Sequence, residues 1–363
     1  MSINVLCITS HSDIPETEMF IGLHRSGFHM EIMCPPEAPH RKRLIDAGVP
    51  VTNLSLKGRF DPTGISEIRS FIEKNHIDIL HLFNNKAASN GIIASRGLPV
   101  KIICYRGTVG NVSFFDPASW TTYLHPRVDK IICVSEAIRK YFLNMRLLSL
   151  RIKPEKVVTV YKGHDISWYN EKPADLKKEF SIPESAFVVC CAANYRPGKG
   201  IEFLVEATKL FPADTNLHIL LVGNMNSSAL IKKINQSPLK NNFHLTGFRR
   251  DAPALMAASD VSVLLSIKKE GLSKVVIESM IYGVVPIVTA IGGNTELVVD
   301  GESGIVIPPK NARALHAALI SLMKNPMLRK TLGDNAKKRI IDHFKNQTTV
   351  DQTLAIYNDL MSG

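Results

Sequence analysis

The chain has 363 residues, 45% of them hydrophobic, and 44 Lys and Arg against 33 Asp and Glu give it a net charge of +11 and a pI near 9.3. That length and apolar content suffice for two cores, and length alone allows a third domain; no apolar run reaches the roughly 18 residues of a membrane-spanning helix. The positive balance points to an anionic surface, but the cations are spread along the chain without a recognised nucleic-acid module, which argues against nucleic acid as a partner.

Residues 3–9 read as a buried strand, too short and lacking the basic flank of a secretion signal. There follow helix 16–26, strand 30–34, helices 41–47 and 66–75, strand 79–82, helix 86–96, and strands 101–104 and 130–134. A crossover over 157–173 leads into a second alternation: strand 187–192, helix 201–210, strand 218–222, helix 229–236, strand 243–246, helix 252–258, strand 261–265, helix 273–282 and strand 285–288. Strands alternating with helices imply parallel βαβ units. The expected fold class is therefore α/β, two doubly wound Rossmann-like domains facing across a cleft, with a ligand at the strand carboxyl ends. The domain spans are 1–165 and 166–345, with a final helical segment, 346–363.

All six cysteines lie in or beside strand-like runs, which suits buried thiols in a reducing cytoplasm better than disulfides or a metal site. Residues 139–153 interleave aliphatic and cationic side chains. Two readings stay open there: contact with an anionic membrane, peripheral at its inner face, or an ordinary amphipathic helix packed on the first domain.

Chemistry concentrates in the second half. Glu270 and Glu278 stand eight positions apart in EGLSKVVIESM, the first at the mouth of a loop and the second on a helix marked by Val275, Val276, Met280 and Ile281. A glycine turn, Gly292-Gly293, follows the next buried strand and lets backbone amides approach a ligand. Two carboxylates beside such a turn suit a polyhydroxyl ligand. Upstream, strand 187–192 runs into a turn carrying Arg196 and Lys199 before a helix, an arrangement that can clamp a diphosphate. Alone, the glutamates would read as a solvated helix face and the RPGK turn as only a turn. Together and in this order they are specific.

On these motifs, with VYKGHD, LLVGN, LTGF, ASDVSVLLS and GGNTELVVDGESGIVIPP, the sequence resembles the retaining nucleotide-sugar glycosyltransferases of family 4, which have the GT-B fold. The resemblance implies an acceptor-binding first domain, a donor-binding second domain and a last helix that returns to the first. It implies that Glu270 contacts the donor sugar near the reacting centre, that Glu278 holds the ribose hydroxyls, and that Arg196 and Lys199 neutralise the leaving diphosphate. Gly271, Leu272, Ser273 and Lys274 stand where a helix start meets the donor, although EGLSKVV replaces the commoner EGFPNVV; Lys274 either joins the phosphate site or reaches solvent. Gly223 and Asn224 border the nucleotide or end a strand. The loop of Phe248 and Arg249 resembles one whose backbone reads the base; Phe248 stacks there or fills a core. Asn294, Thr295 and Glu296 resemble the helix start below the donor, or cap that helix.

Two departures bear on the acceptor. Relatives often have a Gly-Gly loop after the first strand, where this chain has Ser10-His11-Ser12-Asp13. His11 and Asp13 contact acceptor hydroxyls, or Asp13 caps a helix that Pro15 starts. Relatives often place a His after the strand IIC, where this chain has Tyr105-Arg106-Gly107. Arg106 faces an anionic acceptor or the leaving diphosphate, or forms a salt bridge at the domain rim.

The reaction implied is metal-independent, hexosyltransferase-type transfer from a nucleoside diphosphate-sugar, a co-substrate, with no cofactor; the cations and helix N-termini offset the diphosphate. The acceptor implied is an envelope glycan or glycolipid such as lipopolysaccharide. A sugar-nucleotide epimerase and a noncatalytic nucleotide-sugar-binding protein remain as alternatives on the same architecture.

Overall fold

The structure is a computed structural model that describes residues 3–362; Met1, Ser2 and Gly363, at the ends of the expected domain spans, lie outside the described residues. By contacts the chain divides into two units, one made of 3–164 with the segment from Phe344 onward, the other of 165–343.

In the first unit, β1 (Asn4–Ile8), α1 (Ile14–Arg25), β2 (His29–Cys34), α2 (Arg41–Asp46), β3 (Val51–Asn53), α3 (Pro62–Lys74), β4 (Ile79–Leu82), α4 (Asn85–Ala94), β5 (Lys101–Arg106), α5 (Pro117–Trp120), β6 (Lys130–Cys133), α6 (Glu136–Leu143) and β7 (Val157–Thr159) follow in order. The sheet is parallel throughout, ordered β3-β2-β1-β4-β5-β6-β7. Side-chain caps start the helices: Asp13 accepts from the Glu16 amide (3.1 Å) ahead of Pro15 in α1, and Asp61 from the Gly64 amide (3.3 Å) in α3.

The second unit comprises α7 (Leu176–Phe180), β8 (Phe187–Ala192), α8 (Ile201–Thr208), β9 (Leu217–Val222), α9 (Ser228–Ile234), β10 (Phe243–Gly247), α10 (Ala252–Ala257), β11 (Val261–Leu264), α11 (Lys274–Ile281), β12 (Val285–Thr289), α12 (Asn294–Leu297), β13 (Ile305–Ile307), α13 (Ala312–Lys324) and α14 (Pro326–His343). Its parallel sheet is ordered β10-β9-β8-β11-β12-β13. Strands β8, β11 and β12 are buried at every position, as a parallel sheet covered on both faces requires. Alternate residues of β8 feed opposite faces: Val189 and Cys191 join one apolar cluster, Val188 and Cys190 the other. The order in which strands are added reverses between the parallel neighbours β8 and β11, the switch point at which ligands bind in open α/β sheets.

The last helix, α15 (Asn346–Ser362), completes the first unit. It packs on α1 so closely that a Cβ on Gly22 would sit 2.6 Å from Val350. Tyr357 is fully buried, with its hydroxyl 2.8 Å from His81 Nδ1, and Thr349 Oγ1 accepts from the Gly163 amide (2.8 Å) while donating to Tyr161 O (2.7 Å).

Two expectations are corrected. The 157–173 crossover contains β7, a three-residue strand at the sheet edge, too short to show a period in sequence. Residues 139–153 are not one amphipathic helix: α6 ends at Leu143, and Leu147 and Leu150 close a tight turn through mutual backbone bonds of 3.3 and 2.8 Å. Arg139 is tied to Glu136 (3.1 Å) and to Val157 O (2.9 Å). All six cysteines are free and buried, and no helix among the described residues is long and apolar enough to cross a membrane.

Candidate active site

The loops leaving the carboxyl ends of β8 and β11 carry the main sequence candidates of the second unit. Beyond β8 the chain loops through 193–200, and beyond β11 through 265–273. The two loops are stitched by the Ile267 amide donating to Gly198 O (2.8 Å). Gly200 (φ 66°) lets them close up, since a Cβ there would lie 2.0 Å from Leu265 O. Lys199 Nζ thereby lies 2.5 Å from Glu270 Oε1. Ser266, fully buried, donates its hydroxyl to the same oxygen, also at 2.5 Å.

The backbone of Glu270 is clasped from the β12 side. Gly292 (φ 56°) leaves no room for a side chain, its notional Cβ falling 2.0 Å from Glu270 O, and the Gly293 amide reaches that carbonyl at 3.4 Å. Thr289 Oγ1 donates to Ser266 O at 2.5 Å, fixing the residue that holds the carboxylate. Glu270 is thus 9% exposed with both its main chain and its carboxylate positioned. Burying such a charge is tolerated because a cation and a hydroxyl compensate it.

Glu278 lies one turn into α11, is 8% exposed, and pairs with Lys274 Nζ at 3.2 Å. Lys274 is thus tied to Glu278 while its side chain stays 53% exposed. Ser273 occupies the N-cap position of α11 without a side-chain capping bond; Gly271 is buried and Leu272 half-buried. Arg196 is exposed, and among the described residues its guanidinium has no partner. Of the two expected clamp cations, one is engaged by a carboxylate and one is open.

Gly223 (φ 121°) closes against the β8 loop, where a Cβ would lie 2.2 Å from Ala193 O, and Asn224 is anchored through its amide to Asn194 Oδ1 (3.0 Å). Phe248 is 76% exposed, which removes the core reading. The Arg249 side chain is engaged elsewhere, its guanidinium gripping Asp251 at 2.6 and 2.7 Å and also pairing with Glu179, which leaves only the backbone of its loop for a base. Asn294 is fully buried, with Nδ2 donating to Thr289 O (3.1 Å), and Thr295 Oγ1 donates to Gly292 O (3.4 Å).

In the first unit, His11 is exposed, and Asp13 caps α1 while pairing with Lys162 Nζ at 3.0 Å. Arg106 departs from both of its expected roles. It is 6% exposed and folds back on its own loop, with Nε donating to Thr108 O (2.9 Å), Nη2 to Gly110 O, and the guanidinium over the Tyr123 ring. Gly107 is exposed beside it.

Sequence reasoning named Asp13 but missed the polar group it forms with buried Glu16 and half-buried Tyr105 and Lys162. Lys162 Nζ lies 3.9 Å from Glu16 and 5.7 Å from the Tyr105 ring centroid. Burial above all pushes the Glu16 carboxyl up to about 7, reinforced by the Asp13 charge and only partly opposed by Lys162. Lys162 itself is held charged, its pKa raised by Tyr105, Glu16 and Asp13 against burial. The two shifts pull in different directions for one ion pair; the closer contact decides, so Lys162 belongs to Asp13 and leaves Glu16 undercompensated. The YKG run was the available signal. A second omission is a cavity of about 350 Å³ at the carboxyl ends of β1, β3 and β4, bordered by Ser10, Ser55, Lys57, Asn84 and Lys86. Among the described residues, no three His, Cys, Asp or Glu side chains converge as a metal site.

Residues 17–168 match the family description Glycosyltransferase Family 4, and residues 174–339 match Glycosyl transferases group 1. The chain belongs to the family 4-type glycosyltransferases. The fold of this glycosyltransferase is GT-B: a glycosyltransferase structure from Rickettsia africae superposes with a TM-score of 0.81 over 99% of both chains at 20% identity. HepE of Anabaena in complex with UDP gives 0.78 over 99% of this chain and 100% of that one, also at 20% identity. In sequence, the chain is 27% identical over 213 residues to the N-acetyl-alpha-D-glucosaminyl L-malate synthase of Bacillus anthracis, covering 58% of this chain and 56% of that protein. It is 23% identical over 358 residues to an Escherichia coli UDP-Gal:alpha-D-GlcNAc-diphosphoundecaprenol alpha-1,3-galactosyltransferase, covering 92% and 90%. The match spans 56% and 64% of the length of the first two curated relatives, the second an uncharacterised glycosyltransferase of Methanocaldococcus jannaschii.

Proposed function

We propose that this protein transfers a hexosyl group from a nucleoside diphosphate-sugar to an acceptor hydroxyl with retention at the anomeric carbon. The observation that carries the reading is Glu270, positioned by Lys199, Ser266 and the Gly292-Gly293 turn at the carboxyl ends of β8 and β11. Glu278, recessed one turn into α11, takes the ribose hydroxyls, and exposed Phe248 stacks on the base. The UDP and UDP-glucose complexes of HepE support a nucleotide-sugar donor.

Donor binding exchanges the ion pair. The diphosphate takes Lys199 together with Arg196, and Glu270 turns to the sugar hydroxyls and to the positive charge that develops at the anomeric carbon. The bond from that carbon to the diphosphate oxygen breaks as the acceptor oxygen attacks from the same face. The departing phosphate oxygen receives the acceptor proton. Side-chain cations and helix amides serve in place of a metal. A glycan or lipid-linked acceptor of the cell envelope fits the relative that uses a diphosphoundecaprenol-linked sugar, with the enzyme peripheral at the cytoplasmic face of the membrane. His11, Gly107 and the Ser10–Asn84 cavity supply acceptor contacts.

The test is a nucleotide-sugar panel followed by release of free nucleotide with and without envelope extract, with the anomeric configuration of the product read by NMR. Release needing one donor and the extract, lost in Glu270→Ala, supports transfer. An inverted product overturns retention, and full activity in Glu270→Ala overturns the assigned site.

A further inference from the structure

The tight turn at 147–150 carries a residue that neither packing nor backbone preference explains. Leu148 is 92% exposed and has φ 52°, a left-handed conformation that suits Gly or Asn at a two-residue turn and strains a leucine. Beneath the turn lies a crevice of about 210 Å³. Its floor is aromatic and aliphatic, including Phe114, Trp120 and Tyr123, and the polar tips of these rings are spent inside the unit: Trp120 Nε1 donates to Phe114 O (3.0 Å) and Tyr123 OH to Tyr105 O (3.3 Å). Phe115, next in chain to a floor residue, is 78% exposed.

The rim is cationic. Arg151 and Lys153 line the crevice and Arg146 is exposed nearby, while Lys156, also lining it, is turned to Val128 O (2.9 Å); among the described residues the acid paired at this rim is Glu155, 4.0 Å from Lys153. The field is felt by His125, another lining residue: burial first, then the charges of Arg127, Arg96 and Lys156, hold its imidazole below the usual range. Exposed apolar tips over an aromatic crevice, ringed by cations, match the boundary between acyl chains and anionic headgroups.

We propose that this face docks on a bilayer rich in anionic phospholipid, with Leu148 and Phe115 entering the acyl boundary, lipid phosphates held by Arg151 and Lys153, and a lipid chain lying against the aromatic floor. The proposal deepens the reading of an enzyme peripheral at the membrane and rests on it only for purpose. Vesicle binding without nucleotide release, or release without vesicle binding, separates the two.

The test sediments the full chain with vesicles of phosphatidylglycerol and phosphatidylethanolamine, and with phosphatidylcholine alone. Binding is expected to the anionic vesicles only, to fall as salt rises, and to weaken about tenfold or more in the Arg151→Ser, Lys153→Ser double variant. Leu148→Asn, which suits the left-handed backbone and so cannot act by unfolding the turn, is expected to weaken it severalfold. Brominated lipid should quench the Trp120 emission, identified by its absence in Trp120→Phe. Equal binding to phosphatidylcholine, no vesicle binding, preference for nucleic acid over vesicles, or variants that bind as the parent does would each overturn the proposal.

Discussion

Lys199 Nζ meets Glu270 at Oε1, the oxygen that also accepts the Ser266 hydroxyl. Two donors thus converge on one side of the carboxylate. Removing the carboxylate in Glu270→Ala should lower transfer by about a hundredfold or more while leaving the melting temperature close to the parent value, because the lost charge is itself a burial cost. Ser266→Ala should lower kcat by about tenfold with little change in donor KM, since it disturbs only the aim of Glu270. Steady-state nucleotide release measures both.

Gly292→Ala would place a methyl group against the Glu270 carbonyl on a backbone with φ 56°. The turn must shift, at a cost of about 1–3 kcal/mol, and Glu270 shifts with it. Activity should fall more steeply than stability, by thermal melting and nucleotide release measured on the same sample.

Phe248 presents its ring to solvent, 76% exposed. If its ring stacks on the base, Phe248→Ala should raise donor KM about tenfold, the worth of one stacked base, without altering the melt. An unchanged KM would remove Phe248 from the donor site.

Much of the fold was legible because the interior strands are continuous apolar runs: 79–82 and 187–192 are read to the residue. The edge strands β3, β7 and β13 have only three residues each, and what makes them strands is a neighbour already in place. At the site, Glu270, Glu278, Arg196 and Lys199 announce themselves by type and order. Ser266 does not, because a serine at the end of a strand has no distinguishing neighbours until the loop folds back. Arg106 was misread for a related reason: sequence shows its charge, but not the carbonyls of Thr108 and Gly110 that its own loop turns toward it.

Glu16 gives a pH dependence whose sign is fixed by its direction of shift. Its folded pKa is raised from 4.5 to about 7, chiefly by burial, so between those values the native state holds more protons than the unfolded one. Stability from this group is therefore greatest below about pH 4.5 and declines as pH rises through 7. Asp13, lowered by Lys162 and hydrogen bonding against the opposing effect of burial, acts oppositely and loses its contribution only in more acid solution. Glu16→Gln should flatten the decline and gain on the order of 2 kcal/mol at pH 8, by urea unfolding across that range.

Tyr357→Phe leaves His81 Nδ1 buried without its partner. Burial holds His81 neutral, with its pKa brought down to about 3, so no charge change intervenes. The expected loss is about 1–3 kcal/mol, seen in thermal unfolding of the first unit.

That helix also sets an order of events during synthesis. The first unit draws on residues made before 165–343 and on residues made after it, so its core waits, with the place of Tyr357 empty, while the whole of 165–343 emerges. Domains commonly fold as they leave the ribosome, the amino-terminal one first; here the second unit has all its residues before the first does. A ribosome stalled, or a message cut, between 343 and α15 would release a chain with one finished unit and one unsealed, a defect that quality control can sense from its exposed apolar surface alone.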